Sequence, residues 1–368
     1  MIKRIWGKVG LVIGVLLLAL VLFACTENTN IQVGDDEILV VDSIGREVAV
    51  PKELNSIAGL DPFASQIVIM LDKGSLLTST VNGVKRDVLL QQILPGLEDL
   101  ASTKNSGVFN VEELLRLETD LIFMKEDEYV NEAERAKLDQ AGIPYIVISY
   151  DSMASQQEAV SIIGTAIGAE EEAEQFVEYY QQTIEKAKEL VSSIPDEQKS
   201  TLYHSLNEAV RTDAKESIGA DWIALTGAIN VSIDQELTLN DGNSYCTIEQ
   251  IFVWDPDIII CNETGVADYI LSDEKWQGLR AVVEGNVYQI PIGFSRWGHP
   301  SSTETPLAIL WLIQLIYPEL ADDVNLSAEM DYYYTTFYNY TPDDDIKTQI
   351  LNGEGLRTPS IKSQQEQQ

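Results

Sequence analysis

The chain has 368 residues, 45% hydrophobic and 23% charged, which is enough for two domains of ordinary size. Its 59 acidic residues against 24 basic ones give a formal charge of -35. Such a surface repels nucleic acid and anionic lipid. It excludes a nucleic-acid partner and means that any membrane attachment must come from something other than a basic patch.

The first segment offers that attachment. "MIKRIWGK" carries Lys3, Arg4 and Lys8, and the apolar run Leu11 to Ala24 follows. A basic start, a short apolar core and a small residue at its end make a secretory signal. The run is shorter than the roughly 20 residues that span a bilayer. Cys25, directly after Phe23-Ala24, resembles the lipobox cysteine of bacterial lipoproteins. That resemblance implies that Cys25 is the first mature residue and carries the lipid, so residues 1–24 are a lipoprotein signal peptide. Residues 25–37 are polar and read as a flexible tether.

"EILVVDSIGREVAVP" alternates apolar and polar residues around a turn and predicts a β-hairpin. Strands and helices then alternate: "NSIAGL" and "SLLTSTVN" as strands, "NVEELLRLETDLIFM" as helix then strand, "EAERAKLDQAG" as helix, "IPYIVIS" as strand. Alternation of this kind predicts a mostly parallel sheet covered by helices. From Ala169 to Ile194 there is no Gly or Pro, and Phe176, Tyr180, Ile184, Ala187 and Val191 share one helical side. A long helix ends there at Pro195. The alternation resumes with "STLYHSL", "ADWIALTGA", "CTIEQIFVW", "DIIIC" and "GNVYQIP". "PLAILWLIQLI" predicts a buried helix, with Ser301 and Glu304 at capping-box spacing before it. The aromatic-rich stretch after it reads as a cap on the second half.

"NVEELLRLETDLIFM" and "TIEQIFVWDPDIIIC" share a capping residue, a Glu two places on, helical apolar spacing and an Asp at the eleventh place. One copy lies on each side of the long helix, which predicts two similar α/β lobes. The fold class is therefore α/β: two Rossmann-like lobes, residues 38–167 and 196–355, joined by a single long helix over 168–195. Residues 356–368 read as a disordered tail. Cys246 and Cys261 fall near one sheet edge. A disulfide between them and two buried free thiols both fit that placement.

The hairpin, the doubled unit, the single helix between lobes and "GNVYQIP" together resemble the substrate-binding proteins of ABC importers, in the class that handles iron-siderophores, haem and cobalamin. The resemblance runs from about Glu37 to Gly355. It implies an extracytoplasmic, monomeric, lipid-anchored carrier with no catalytic residue and no cofactor of its own. Its cargo would be a metal chelate held in the cleft between the lobes. Its partner would be an ABC permease dimer, met by one acidic residue from each lobe. Glu112 and Glu249 stand at the matching positions, and each also suits the first turn of its helix.

In open α/β sheets ligands bind beyond the carboxyl ends of strands, and pockets favour domain interfaces. The candidate loops are Gly59 to Phe63, Asn82 to Arg86, Ser102 to Gly107 and Lys125 to Tyr129 in the first lobe. In the second they are Tyr203-His204, Asn240 to Tyr245, Asn262 to Thr264 and Phe294 to His299. From them we single out Asp61, Phe63, Lys85, Arg86, Tyr129, Tyr203, Tyr245, Arg296, Trp297 and His299 as ligand-binding residues. Arg296 offers a fork for an anion, and Trp297 a stacking face through which a ligand would quench fluorescence. A core position suits Trp297 as well. His299 could hold a metal, although a lone histidine is more often structural. With only His204 and His299, a direct divalent-metal protein is not expected. Two other classes stay open: a sensor lipoprotein, and a hydrolase using carboxylates. Turnover of a bound ligand would mark the second.

Overall fold

In the computed structural model the described residues are 33–322 and 324–355; the segment expected to be a signal peptide, Cys25 and residues 356–368 fall outside them. The fold begins with the expected hairpin, β1 (Glu37–Val41) against β2 (Glu47–Pro51), antiparallel. Its turn is built on Asp42, whose carboxylate accepts the Arg46 N–H at 2.9 Å and the Arg46 guanidinium at 2.8 Å. The same carboxylate accepts the Val147 N–H at 3.2 Å, which ties the hairpin to the first lobe.

The first lobe is a four-stranded sheet of β3 (Ile57–Gly59), β4 (Leu77–Thr80), β5 (Leu121–Lys125) and β6 (Tyr145–Ile148), in the order β4-β3-β5-β6, all parallel. The second lobe is built from β7 (Thr201–Ser205), β8 (Ile229–Asn230), β9 (Ile258–Cys261) and β10 (Val287–Gln289), in the order β8-β7-β9-β10, again parallel. The two orders are the same pattern. Strands covered on both faces read as unbroken apolar runs, which is why "LIFM" and "IIIC" are fully buried.

The doubled sequence unit does one job twice. In α2 (Val111–Arg116) Leu114 is buried, and in α6 (Ile248–Trp254) Ile251 is. The eleventh-place aspartates then hold the entry of the neighbouring strand. Asp120 Oδ2 accepts the Asn55 and Ser56 N–H groups at 2.7 and 3.0 Å. Asp257 Oδ2 accepts the Thr201 N–H at 2.8 Å and its hydroxyl at 2.6 Å. Each Asp also returns its own N–H, to Ser56 O and Thr201 O.

The long helix α4 (Glu170–Val191) spans about 33 Å at 1.5 Å per residue. It buries Phe176, Tyr179, Tyr180, Thr183 and Ala187. It packs against α3 (Met153–Ile167) and α7 (Thr305–Ile316), and it is followed along the chain by α5 (Ile218–Leu225), which also touches it. One apolar core runs from Val40 through both lobes to Ile350, so the helix is embedded rather than a free rod. The C-terminal helices correct another expectation. The helix α8 (Leu326–Tyr338) sets Phe337 and Tyr333 against Phe176 and Tyr179 of the long helix. It also meets α1 (Pro62–Met70) of the first lobe, and Tyr340 donates to Gln92 at 2.8 Å. This helix thus bridges the lobes, with its aromatic stripe packed on the long helix.

Candidate functional site

The carboxyl ends of the two sheets meet around a cavity of about 580 Å³. Lys125, Asp127 and Asp151 line it from the ends of β5 and β6. His204, Asn207, Asp213, Asn262 and His299 line it from the second lobe, with the first turn of α5. Lys125 Nζ lies 3.4 Å from Asp127 and 3.3 Å from Asp151. Burial pulls its ammonium down, but the Asp151 and Asp127 charges outweigh this and hold it above the ordinary lysine value. A second cavity of about 240 Å³ lies beside the first, between Gln66, Val84 and Leu90 of one lobe and Phe294 to Arg296 of the other. His299 borders both.

The segment Gly293 to Ser302 is the shared wall. Gln66 donates to Ser301 O at 3.2 Å, and Gln156 donates to Pro300 O at 2.7 Å and Ser302 O at 3.1 Å. Trp222 Nε1 donates to Gly298 O at 3.1 Å. Gly298 has φ +75°, and a Cβ there would lie 2.5 Å from the indole, so only glycine fits. Beneath the segment, Glu304 is fully buried and accepts the Phe294 and Ser295 N–H groups at 3.2 Å each, together with the Tyr334 hydroxyl. Burial raises its pKa to about 7, against the lowering effect of these donors. The capping box expected from Ser301 and Glu304 is absent, because Glu304 turns inward and Ser301 Oγ pairs with His299 Nδ1 at 2.9 Å.

The predicted residues scatter. Among the ten ligand candidates, the large cavity is lined by His299 and the small one by Arg296 and His299. Arg296 holds Asn207 at 2.8 Å and Glu263 at 2.6 Å, so its expected anion fork is engaged within the protein. Trp297 is 0% exposed and belongs to the core, which corrects its reading as a stacking face. Phe63 is likewise core, tilted against Tyr150. Asp61 is the buried cap of α1, taking the Phe63 N–H at 2.8 Å and the Tyr150 hydroxyl at 2.6 Å; burial raises its pKa. Tyr203, on β7, is buried in an apolar cluster with Cys246 and Ile251, and donates to Ala209 O at 2.9 Å. Tyr245 donates to Glu208 at 3.2 Å. Tyr129 lies under the guanidinium groups of Arg46 and Arg135. Lys85 donates to Leu100 O, and Lys85 and Arg86 are half-buried outside both cavity walls. Glu112 and Glu249 are exposed in the first turns of α2 and α6.

The residues missed are the segment Arg211 to Gly219, Asp151 and Asn207. The run "NEAVRTDAKES" after a strand is rich in turn formers and was readable as a cleft loop.

Cys246 and Cys261 are buried free thiols, so the disulfide option falls. Cys246 Sγ instead faces Val210 O at 3.4 Å and the Tyr203 hydroxyl at 3.3 Å. Burial pushes the Cys261 thiol up to about 12 and raises Cys246. Neither therefore supplies thiolate at neutral pH. Iodoacetamide is expected to leave both intact in the folded protein and to modify both in denaturant without reductant. A requirement for reductant would restore the disulfide.

The sequence pattern of the family described as periplasmic binding protein matches residues 57–292. The molybdate-binding protein MolA of Haemophilus influenzae is 22% identical over 331 residues, covering 83% of this chain and 93% of MolA. An uncharacterized ABC transporter substrate-binding lipoprotein of Bacillus subtilis, YvrC, is 24% identical over 286 residues, covering 77% of this chain and 86% of YvrC. A periplasmic solute-binding protein of Veillonella parvula superposes with a TM-score of 0.74 at 26% identity, over 86% of this chain and 97% of that one. The match spans both sheets and the helix between them, and on that ground this chain belongs to the periplasmic binding protein family.

Proposed function

We propose that this chain is a lipid-anchored, extracytoplasmic substrate-binding protein that delivers a metal chelate, of the iron-siderophore, haem or corrinoid kind, to an ABC importer. The observation that carries the reading is the cleft itself. Two parallel sheets point their carboxyl ends at one space of about 580 Å³, which suits a small ligand gripped between lobes. Relatives of this fold have been solved with nickel in Helicobacter pylori CeuE and as a haem-binding protein from Roseiflexus, while MolA is named for molybdate. The lipid would sit on Cys25, and residues 25–37 would tether the lobes to the membrane.

Purification of the protein from its own cells, followed by absorption spectra and mass spectrometry of what it carries, tests the reading. A chelate released intact supports it. A chemically converted product would point to an enzyme.

Docking is proposed through Glu112 and Glu249. Both helices precede a central strand of their sheet and run antiparallel to it, so both first turns lie at the cleft edge. Rim charges of this kind set orientation and encounter rate more than affinity. The double reversal E112R/E249R is expected to leave ligand affinity unchanged and to abolish stimulation of the transporter ATPase. Normal stimulation by the reversed protein would refute the assignment.

A further inference from the structure

The chain contains two histidines, and both border the large cavity. Their neighbours set opposite tautomers. His299 Nδ1 accepts the Ser301 backbone N–H at 3.2 Å and lies 2.9 Å from the Ser301 hydroxyl. A nitrogen that accepts carries no proton, so neutral His299 is protonated at Nε2 and offers an N–H. His204 Nδ1 lies 2.8 Å from Asp213 Oδ2, a carboxylate oxygen that can only accept. In the neutral ring the proton is therefore on Nδ1, and Nε2 is left as a lone pair.

The second lobe is built to keep it so. Asp213 is held by Asn230 Nδ2 at 2.9 Å and by the Ser217 hydroxyl at 3.1 Å. The Asn230 amide is fixed in turn by the Ser232 hydroxyl, which donates to its oxygen at 2.9 Å. The imidazole stands edge-on to Trp222 and is 2% exposed. His204 Nε2 has no hydrogen-bond partner among the described residues. A buried nitrogen left in that state is destabilising unless something bound completes it. A carboxylate behind a histidine, fixing its tautomer and raising the basicity of the far nitrogen, is the support that metal-ligating histidines have.

The charge around the cavity narrows the ligand. Asp127, Asp151, Asp213, Glu216 and Asp241 line it against Lys125 and Arg211, and Lys125 is already shared between two aspartates. A bare oxyanion meets repulsion there, and a neutral or cationic complex does not.

We infer that the cleft selects a neutral or cationic metal complex with an open coordination position, and that His204 Nε2 fills that position. The inference rests on the carrier reading and makes it narrower.

The test uses the untagged full chain in detergent with copper(II) iminodiacetate, a neutral complex with open positions. Three proteins are compared by electron paramagnetic resonance: wild type, H299Q and H204Q, each with natural and ¹⁵N-labelled histidine. In H299Q the single remaining histidine is His204, and no buried residue has been altered. Whatever its affinity, H299Q is expected to show nitrogen coupling that changes with the label. H204Q is expected to lose that coupling and to bind at least about tenfold more weakly. Coupling that vanishes in H299Q and persists in H204Q overturns the inference, and so does absence of label-dependent coupling in all three. A ferric trihydroxamate, whose coordination shell is closed, and molybdate complete the test. Tight binding of the trihydroxamate without copper coordination sinks the histidine ligation and leaves the carrier reading standing. Binding of molybdate alone sinks the histidine ligation and the metal-chelate cargo, and leaves a carrier of another ligand.

Discussion

Replacing Trp297 with alanine lowers the unfolding free energy by about 3–5 kcal/mol. The side chain is fully buried on the shared wall, three residues after the equally buried Phe294, and its backbone N–H is fixed to Pro291 O at 3.0 Å. Removing the indole leaves a void that the wall cannot close, because Gly298 beside it is pressed against Trp222. Urea denaturation measures the loss. The phenylalanine variant is expected to lose less, since it fills part of the same space. A loss below about 1 kcal/mol for alanine would mean that Trp297 faces open cleft, as its place in a loop suggests. Any fluorescence change on ligand binding is then an indirect report from the wall rather than direct stacking on this ring.

The second large effect concerns Glu304 and pH. Its pKa rises from 4.5 to about 7 on folding, because burial outweighs its hydrogen bonds. Between those values the folded chain keeps a proton that the unfolded chain has released. Stability from this group is therefore fully present below about pH 4.5 and lost as pH rises through 7. The loss is on the order of 3 kcal/mol at 1.36 kcal/mol per unit. Tyr334, which donates to Glu304, and Tyr333 and Tyr338 near it have pKa values raised by burial and stay neutral throughout the window. Stability of wild type minus that of E304Q, followed from pH 4 to 8, isolates the group. A falling difference is expected, steepest between 4.5 and 7. A flat difference would show that Glu304 titrates alike in both states. The cleft should follow, since Glu304 holds the backbone of Phe294 and Ser295.

The sequence made the frame readable for a physical reason. Parallel strands and amphipathic helices announce themselves by period, and the doubled "EE/EQ…D" unit placed α2-β5 and α6-β9 in matching roles. Asp120 and Asp257 could be noticed but not explained, because their partners, Ser56 and Thr201, lie more than fifty residues upstream. The site was less legible. Residue type suggested Trp297, Arg296 and Tyr203 as ligand groups, yet burial, Glu263 and Ala209 O claim them. His204 looked like half of a pair too small to matter. Its distinction is the Asp213 carboxylate behind it, a contact that depends on how "YHSL" folds back on "RTDA". The C-terminal aromatics were recognisable as packing residues, but not which surface they would cover.

The wall from Gly293 to Ser302 belongs to the second half by chain and to the first half by hydrogen bonds from Gln66 and Gln156. Swinging the halves apart beyond bonding reach would strip those carbonyls of their donors, at about 1 kcal/mol each. Those three bonds clasp the halves together across the cavity rim and oppose a wide parting of them.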